Sequence, residues 1–124
     1  MESNFENKII IVAEDADMNF ILMKKILEQT KATIIRAVDG EDLLKIVENQ
    51  KNVNLILMDM SMPKLDGFEA TKRLRQKGCE IPIIAQTALM MNYDKEQAIE
   101  AGCNDFIQKP IIKDNLFRVL AKYL

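Results

Sequence analysis

Five residues of this chain have types suited to chemistry and fall at matching places: Glu14, Asp15, Asp59, Thr87 and Lys109. Each closes a short apolar run. Glu14 and Asp15 follow Ile9-Ile10-Ile11-Val12-Ala13, and Asp59 follows Val53-Asn54-Leu55-Ile56-Leu57-Met58. Thr87 ends the run that contains Ile83-Ile84-Ala85, and Lys109 ends the run from Asn104 to Gln108. Two carboxylates about 4 Å apart repel by ~4 kcal/mol at an effective dielectric near 20, so three of them need a cation. Lys109 supplies one positive charge. A pocket of carboxylates, a backbone carbonyl and water suits Mg²⁺, whereas Ca²⁺ takes more protein ligands. With a lysine and a hydroxyl around one carboxylate, the fitting reaction is phosphoryl transfer to that carboxylate. Metal and lysine neutralise equatorial phosphoryl oxygens, and the hydroxyl donates to one of them.

Taken singly, every one of these residues has an ordinary reading. Asp59 could end a strand, Glu14 and Asp15 could cap a helix, Thr87 could be a strand-end hydroxyl, and Lys109 a solvated charge. Their common setting argues otherwise. Near-continuous apolar runs of five or six residues read as strands buried on both faces. Between them lie helical patterns at residues 17–28, 41–49, 67–77, 89–101 and 112–124. Five strands alternating with five helices make a parallel sheet with helices on both faces, reached by right-handed crossovers. All carboxyl ends of such a sheet share one edge, where open α/β sheets place their chemistry.

Finer expectations follow from periodicity and capping. Residues 1–8 are polar and read as an N-terminal tail, with the folded domain over 9–124. Asp17 suits the N-cap of the first helix. Met18, Ile21, Leu22, Ile26 and Leu27 form its apolar face. The strand Thr33-Ile34-Ile35-Arg36-Ala37 alternates and belongs near an edge. Lys72, Arg73, Arg75 and Lys77 are the exposed side of the third helix, which Gly78 ends. The stretch 89–101 has the weakest apolar pattern. The eight methionines are core fillers.

Composition limits the function further. A chain of 124 residues with 48% apolar and 29% charged residues suits one globular domain. A net charge of −2 carries no basic footprint for nucleic acid. No apolar run is long enough to span a bilayer, so no membrane contact is expected. Two cysteines, Cys79 and Cys103, make neither a disulfide framework nor a metal quartet. The expected compartment is the cytoplasm. The absence of histidine excludes Ser-His and Cys-His nucleophiles, histidine-ligated zinc and a phosphohistidine on this chain.

The chain resembles a response-regulator receiver domain of two-component signalling over roughly residues 8–124. The resemblance rests on Glu14-Asp15, on Met58-Asp59-Met60-Ser61-Met62-Pro63 with Asp66-Gly67, on Thr87-Ala88, and on Ala101-Gly102 with Asp105-Phe106 and Lys109-Pro110. It implies a flavodoxin-like doubly wound (βα)5 fold with strand order 2-1-3-4-5. It implies that Asp59 accepts a phosphoryl group from a histidine kinase or histidine phosphotransfer protein. Glu14, Asp15, Asp59 and the backbone carbonyl of Ser61 would hold Mg²⁺. Thr87 and Lys109 would bind phosphoryl oxygens, and Phe106 matches the family's switch aromatic. Lys109-Pro110 matches its cis peptide. The motif texture from Met62 through Thr71, and the ending Lys122-Tyr123-Leu124, leans toward receivers of hybrid histidine kinases.

Two other readings compete. A Mg²⁺-dependent haloacid-dehalogenase-type phosphatase also uses a strand-end aspartate, but that family wants a second aspartate where this chain has Ser61. A receiver-like interaction module that is never phosphorylated would not need the full acidic set with Thr87 and Lys109. Ser61 and Leu89 flank the path of an attacking water in the receiver reading. Neither is an acid or amide able to position that water, so a long-lived phosphoryl state is expected.

Overall fold

A computed structural model describes residues 4–88 and 92–124. Five strands alternate with five helices: β1 (Ile9–Ala13), α1 (Asp17–Glu28), β2 (Thr33–Ala37), α2 (Gly40–Asn49), β3 (Leu55–Asp59), α3 (Gly67–Gln76), β4 (Ile83–Thr87), α4 (Asn92–Ala101), β5 (Asp105–Gln108) and α5 (Lys113–Tyr123). The strands form one sheet in the order β2-β1-β3-β4-β5, and each neighbouring pair is parallel. This is the doubly wound fold, and β2 takes the edge that its alternation suggested. Among the described residues no helix is long and apolar enough to cross a membrane.

Side chains of a strand alternate between faces, and here both faces are covered. Ile10, Val12, Leu55, Leu57 and Ile84 pack under α1 and α5, against Met23, Leu27, Leu116 and Leu120. Ile11, Ala13, Ile56, Met58, Ile83 and Ala85 pack under α2, α3 and α4, against Leu43, Leu74 and Ala98. All five residues of β3 are buried, which explains why its sequence is an unbroken apolar run ending in a carboxylate.

Several sequence readings change. Residues 5–8 are not a loose tail. Phe5 is buried in the α1/α5 core, its N–H donates to the Thr30 carbonyl at 2.7 Å, and the Thr33 N–H donates to Lys8 at 2.8 Å. One aromatic ring outweighs the polar residues around it. Ala16, not Asp17, is the N-cap of α1, and it caps without a side-chain hydrogen bond. Asp17 sits in the first turn and pairs with Arg36 at 2.8 Å.

The face of α1 is also different. Met23 and Leu27 are buried, whereas Met18, Ile21 and Leu22 are 69%, 44% and 58% exposed. Apolar residues run nearly all round this helix, so its period admits two stripes, and the stripe that fits the sheet is the one buried. Arg75 is likewise not a solvated charge. It donates to the carbonyls of Gly102, Cys79 and Ile81 and to Asn104 Oδ1, at 2.8 to 3.0 Å. That guanidinium ties the end of α3 to the entrances of β4 and β5.

Local devices fix the loops at the carboxyl edge. Asp39 caps α2 and Asp66 caps α3, accepting from Asp42 N at 2.8 Å and Glu69 N at 2.9 Å. Gly67 lets the loop after β3 fold back on itself. A Cβ there would lie 2.7 Å from Met60 Sδ and 2.8 Å from the Asp59 carbonyl oxygen.

Candidate functional site

The edge formed by the strand ends gathers the chemically active residues. The β1–α1 connection carries Glu14 and Asp15. Its backbone is held from the neighbouring strand: Glu14 N donates to Ala37 O at 2.9 Å, and Arg36 donates to the carbonyls of Glu14 and Asp15 at 3.1 and 3.2 Å. Arg36 also lies over the Phe20 ring, 4.9 Å from its centroid. Sequence reading gave Arg36 no role, since a charge on an edge strand ordinarily faces solvent. Only its partners, some twenty residues away, mark it as the clamp of the acidic loop.

Asp59 ends β3 and is 4% exposed. Its Oδ1 accepts the Ser61 N–H at 3.0 Å, which orients the carboxylate. Its Oδ2 lies 3.1 Å from Lys109 Nζ, and the same ammonium is 3.8 Å from Glu14 Oε1. Lys109 is carried by the end of β5, and its N–H donates to Thr87 O at 2.8 Å. The peptide that follows, Lys109-Pro110, is cis. Glu14, Asp15 and Asp59 each offer an oxygen, and these oxygens lie within 4.8 Å of one another. Glu14 and Asp59 are buried and Asp15 is exposed, so the cluster opens to solvent on one side.

Electrostatics follow from this packing. Burial pushes the Glu14 carboxyl up to about 7. The Ala16 N–H opposes that shift, the hydrogen bond and negative charge of Asp59 add to it, and Lys109 pulls it down. A buried carboxyl forced toward its neutral form beside a second carboxylate is a site short of positive charge. The donor set is all oxygen, carries up to three negative charges and keeps an open side. That fits a hard divalent cation such as Mg²⁺, which retains waters and takes carboxylate ligands.

Thr87 and Phe106 stand at the rim. Gln86 pairs in register with Asp59, and Thr87 is the next residue of β4, half-buried. Phe106 pairs with Ala85 and packs on the α2–α4 side, with Lys95 Nζ 5.3 Å from its ring centroid. Ser61 is exposed just past β3. Leu89, which was read as flanking a water path, lies outside the described residues.

Comparison with known proteins decides the family. The response regulator receiver domain family matches residues 10–121. The chain belongs to that family. A hybrid signal transduction histidine kinase I from Dictyostelium discoideum is 40% identical over 119 residues, covering 90% of this receiver and 7% of that kinase. The receiver therefore spans a small part of that relative's length. The receiver domain of the sensor histidine kinase PA1611 from Pseudomonas aeruginosa PAO1, solved with magnesium coordinated in its active site cleft, superposes with a TM-score of 0.85 at 32% identity, covering 94% of this chain and 96% of that one. The receiver domain of Ssk1 from Saccharomyces cerevisiae, solved with the histidine phosphotransfer protein Ypd1, gives 0.88 at 26% identity, over 99% of this chain and 90% of that one. The protein is thus a receiver domain of two-component signalling.

Proposed function

We propose that Asp59 of this receiver accepts a phosphoryl group from a phosphohistidine of a histidine kinase or a histidine phosphotransfer protein. The observation that carries this reading is the ion pair of Lys109 with buried Asp59, set inside the cluster of Glu14, Asp15 and Asp59. An Asp59 carboxylate oxygen attacks phosphorus, the new O–P bond forms, and the N–P bond breaks with its electron pair returning to the donor imidazole. The Ser61 N–H orients the nucleophile. Lys109 moves little to meet a phosphoryl oxygen, since its ammonium already lies against Asp59. Thr87 donates its hydroxyl to another oxygen. Glu14, Asp15, Asp59 and the Ser61 carbonyl would hold Mg²⁺, which when bound neutralises negative charge on the phosphoryl oxygens. In this reading the domain promotes its own phosphorylation and dephosphorylation and is a signalling switch rather than an enzyme with a separate substrate.

The packed domain of this proposal runs from 9 to 124, with Phe5 closing its core, and it works in the cytoplasm. The phosphoryl group adds about −1.5 to −2 charge. Carrying a switch from mostly off to mostly on takes roughly 5.5 kcal/mol. New charge-assisted hydrogen bonds at Thr87 and Lys109 contribute ~1.5–3 kcal/mol each. The responding surface is α4, β5 and α5, with Phe106 turning as Thr87 moves. The thin anchoring of α4 supports this choice: its buried residues include only the small side chains Ala98 and Ala101, while Ile99 is 51% exposed.

The test is intact mass after incubation with Mg²⁺ and acetyl phosphate, beside Asp59→Asn. Addition of one phosphoryl group that needs Mg²⁺ and is lost in the variant is expected. If neither acetyl phosphate nor beryllofluoride engages Asp59, the domain is an interaction module that is not phosphorylated. In the same sample the phosphoryl group should persist for minutes or longer, because Ser61 cannot position water. Decay within seconds would contradict that expectation.

A further inference from the structure

A second cleft lies on the opposite side of Lys109 from the Asp59 ion pair, between α1 and the β5–α5 connection. Its volume is about 490 Å³, and its walls are Leu22, Met23, Ile26, Pro110 and Ile111. Gln86 lies at its inner end. Strand alternation fixes the direction of that side chain. Ile84 belongs to the core under α1 and α5 and Ala85 to the opposite core, so Gln86 points the same way as Ile84. Gln86 is 2% exposed, and its Nε2 has no hydrogen-bond partner among the described residues. A buried donor left unpaired is costly, and such groups in native proteins point to a missing partner.

We infer that this cleft binds a small, neutral, mainly apolar molecule with a carbonyl oxygen that accepts the Gln86 amide N–H. Each part of that description answers an observation. The volume falls within the range of about 300–1,000 Å³ common to small-molecule sites, which combine apolar walls with few polar groups. The aliphatic and proline walls take an apolar body. The unpartnered Nε2 requires an acceptor. The charged groups at the cleft, Glu14 and Lys109, already face each other at 3.8 Å, so a charged ligand finds no free counter-charge.

The probe is acetophenone, which has an aromatic body, one acceptor and no donor. It is titrated into the unphosphorylated full chain without phosphodonor, so the outcome is independent of whether Asp59 is a phosphoacceptor. Ring-current shifts of the Leu22, Ile26 and Ile111 methyls and of the Gln86 side-chain NH₂ should saturate on one curve. Gln86→Met keeps the length and removes the donor, and should weaken binding about tenfold, the effect of one hydrogen bond to a buried group. Ethylbenzene, of the same shape but without the acceptor, should bind the unaltered chain more weakly than acetophenone by a similar factor. The second comparison stands even if the variant fails to fold. Equal binding of the two probes, unchanged affinity in a folded Gln86→Met, or shifts that saturate elsewhere would overturn the proposal.

Discussion

At the level of single residues the site is a problem of unbalanced charge. Two buried carboxylates and one exposed one face a single ammonium. The consequence is measurable through Glu14. Its folded-state value of about 7 lies above the ordinary 4.5, so the folded chain holds that proton more tightly than the unfolded chain. Linkage then lowers stability as pH rises through the window from 4.5 to about 7, and the loss is complete above it. Its ceiling is roughly 3 kcal/mol at about 1.4 kcal/mol per pH unit. Urea unfolding in the presence of EDTA should therefore give lower stability at pH 7.5 than at pH 5, and Glu14→Gln should flatten much of that slope. A stability that rises over this interval in both proteins would refute the account. The types and positions of Glu14, Asp15, Asp59 and Lys109 were legible in the sequence because each ends a recognisable strand. Arg36, Arg75 and Gln86 were not, because their roles depend on atoms brought near by other elements.

At the level of elements, the loops after the strands hold these residues in register. Asp39 is buried, caps α2, and pairs with Lys64 at 3.5 Å; the Asp42 N–H holds its carboxyl below the ordinary range. Asp39→Ala should cost about 1–2 kcal/mol, the usual worth of an N-cap. Gly67→Ala meets backbone rather than open space, since Asp59 O and Met60 Cα both lie 2.8 Å from the added carbon. We expect a loss of roughly 1–3 kcal/mol, as for overpacking elsewhere, together with weaker Mg²⁺ binding as the Asp59 loop shifts. Chemical denaturation and a metal titration check both effects. Asp66-Gly67 announced a turn in the sequence, but the close approach of Gly67 to Asp59 appears only in three dimensions. The first helix carries the opposite lesson: apolar residues on nearly every side left its buried face open, and the sheet chose it.

At the level of the whole molecule, two cores share one sheet, and each central strand stabilises both. Leu57 is fully buried on the α1/α5 side. Leu57→Ala should cost about 2–5 kcal/mol through lost contacts and a residual cavity. Ile99→Ala, at a position 51% exposed, should change stability by no more than about 0.5 kcal/mol. A large loss at Ile99 measured by denaturation would mean that α4 is anchored more firmly than its buried alanines suggest, and would weaken its assignment as the responding element.

The sequence alone determined the alternation of five strands and five helices and the residue that ends each strand. Those features are local: apolar runs, helical periods and turn residues are written in consecutive positions. A parallel sheet then brings its carboxyl ends to one edge by geometry, so convergence of the acidic residues with Lys109 followed as well. The tertiary structure decided the rest. It selected Met23 and Leu27 over Met18 and Leu22, drew Phe5 into the core, turned Arg36 and Arg75 inward onto carbonyls, and left the Gln86 amide unpaired in an apolar cleft. Each of these outcomes depends on packing between residues far apart in the chain, and no local pattern encodes it.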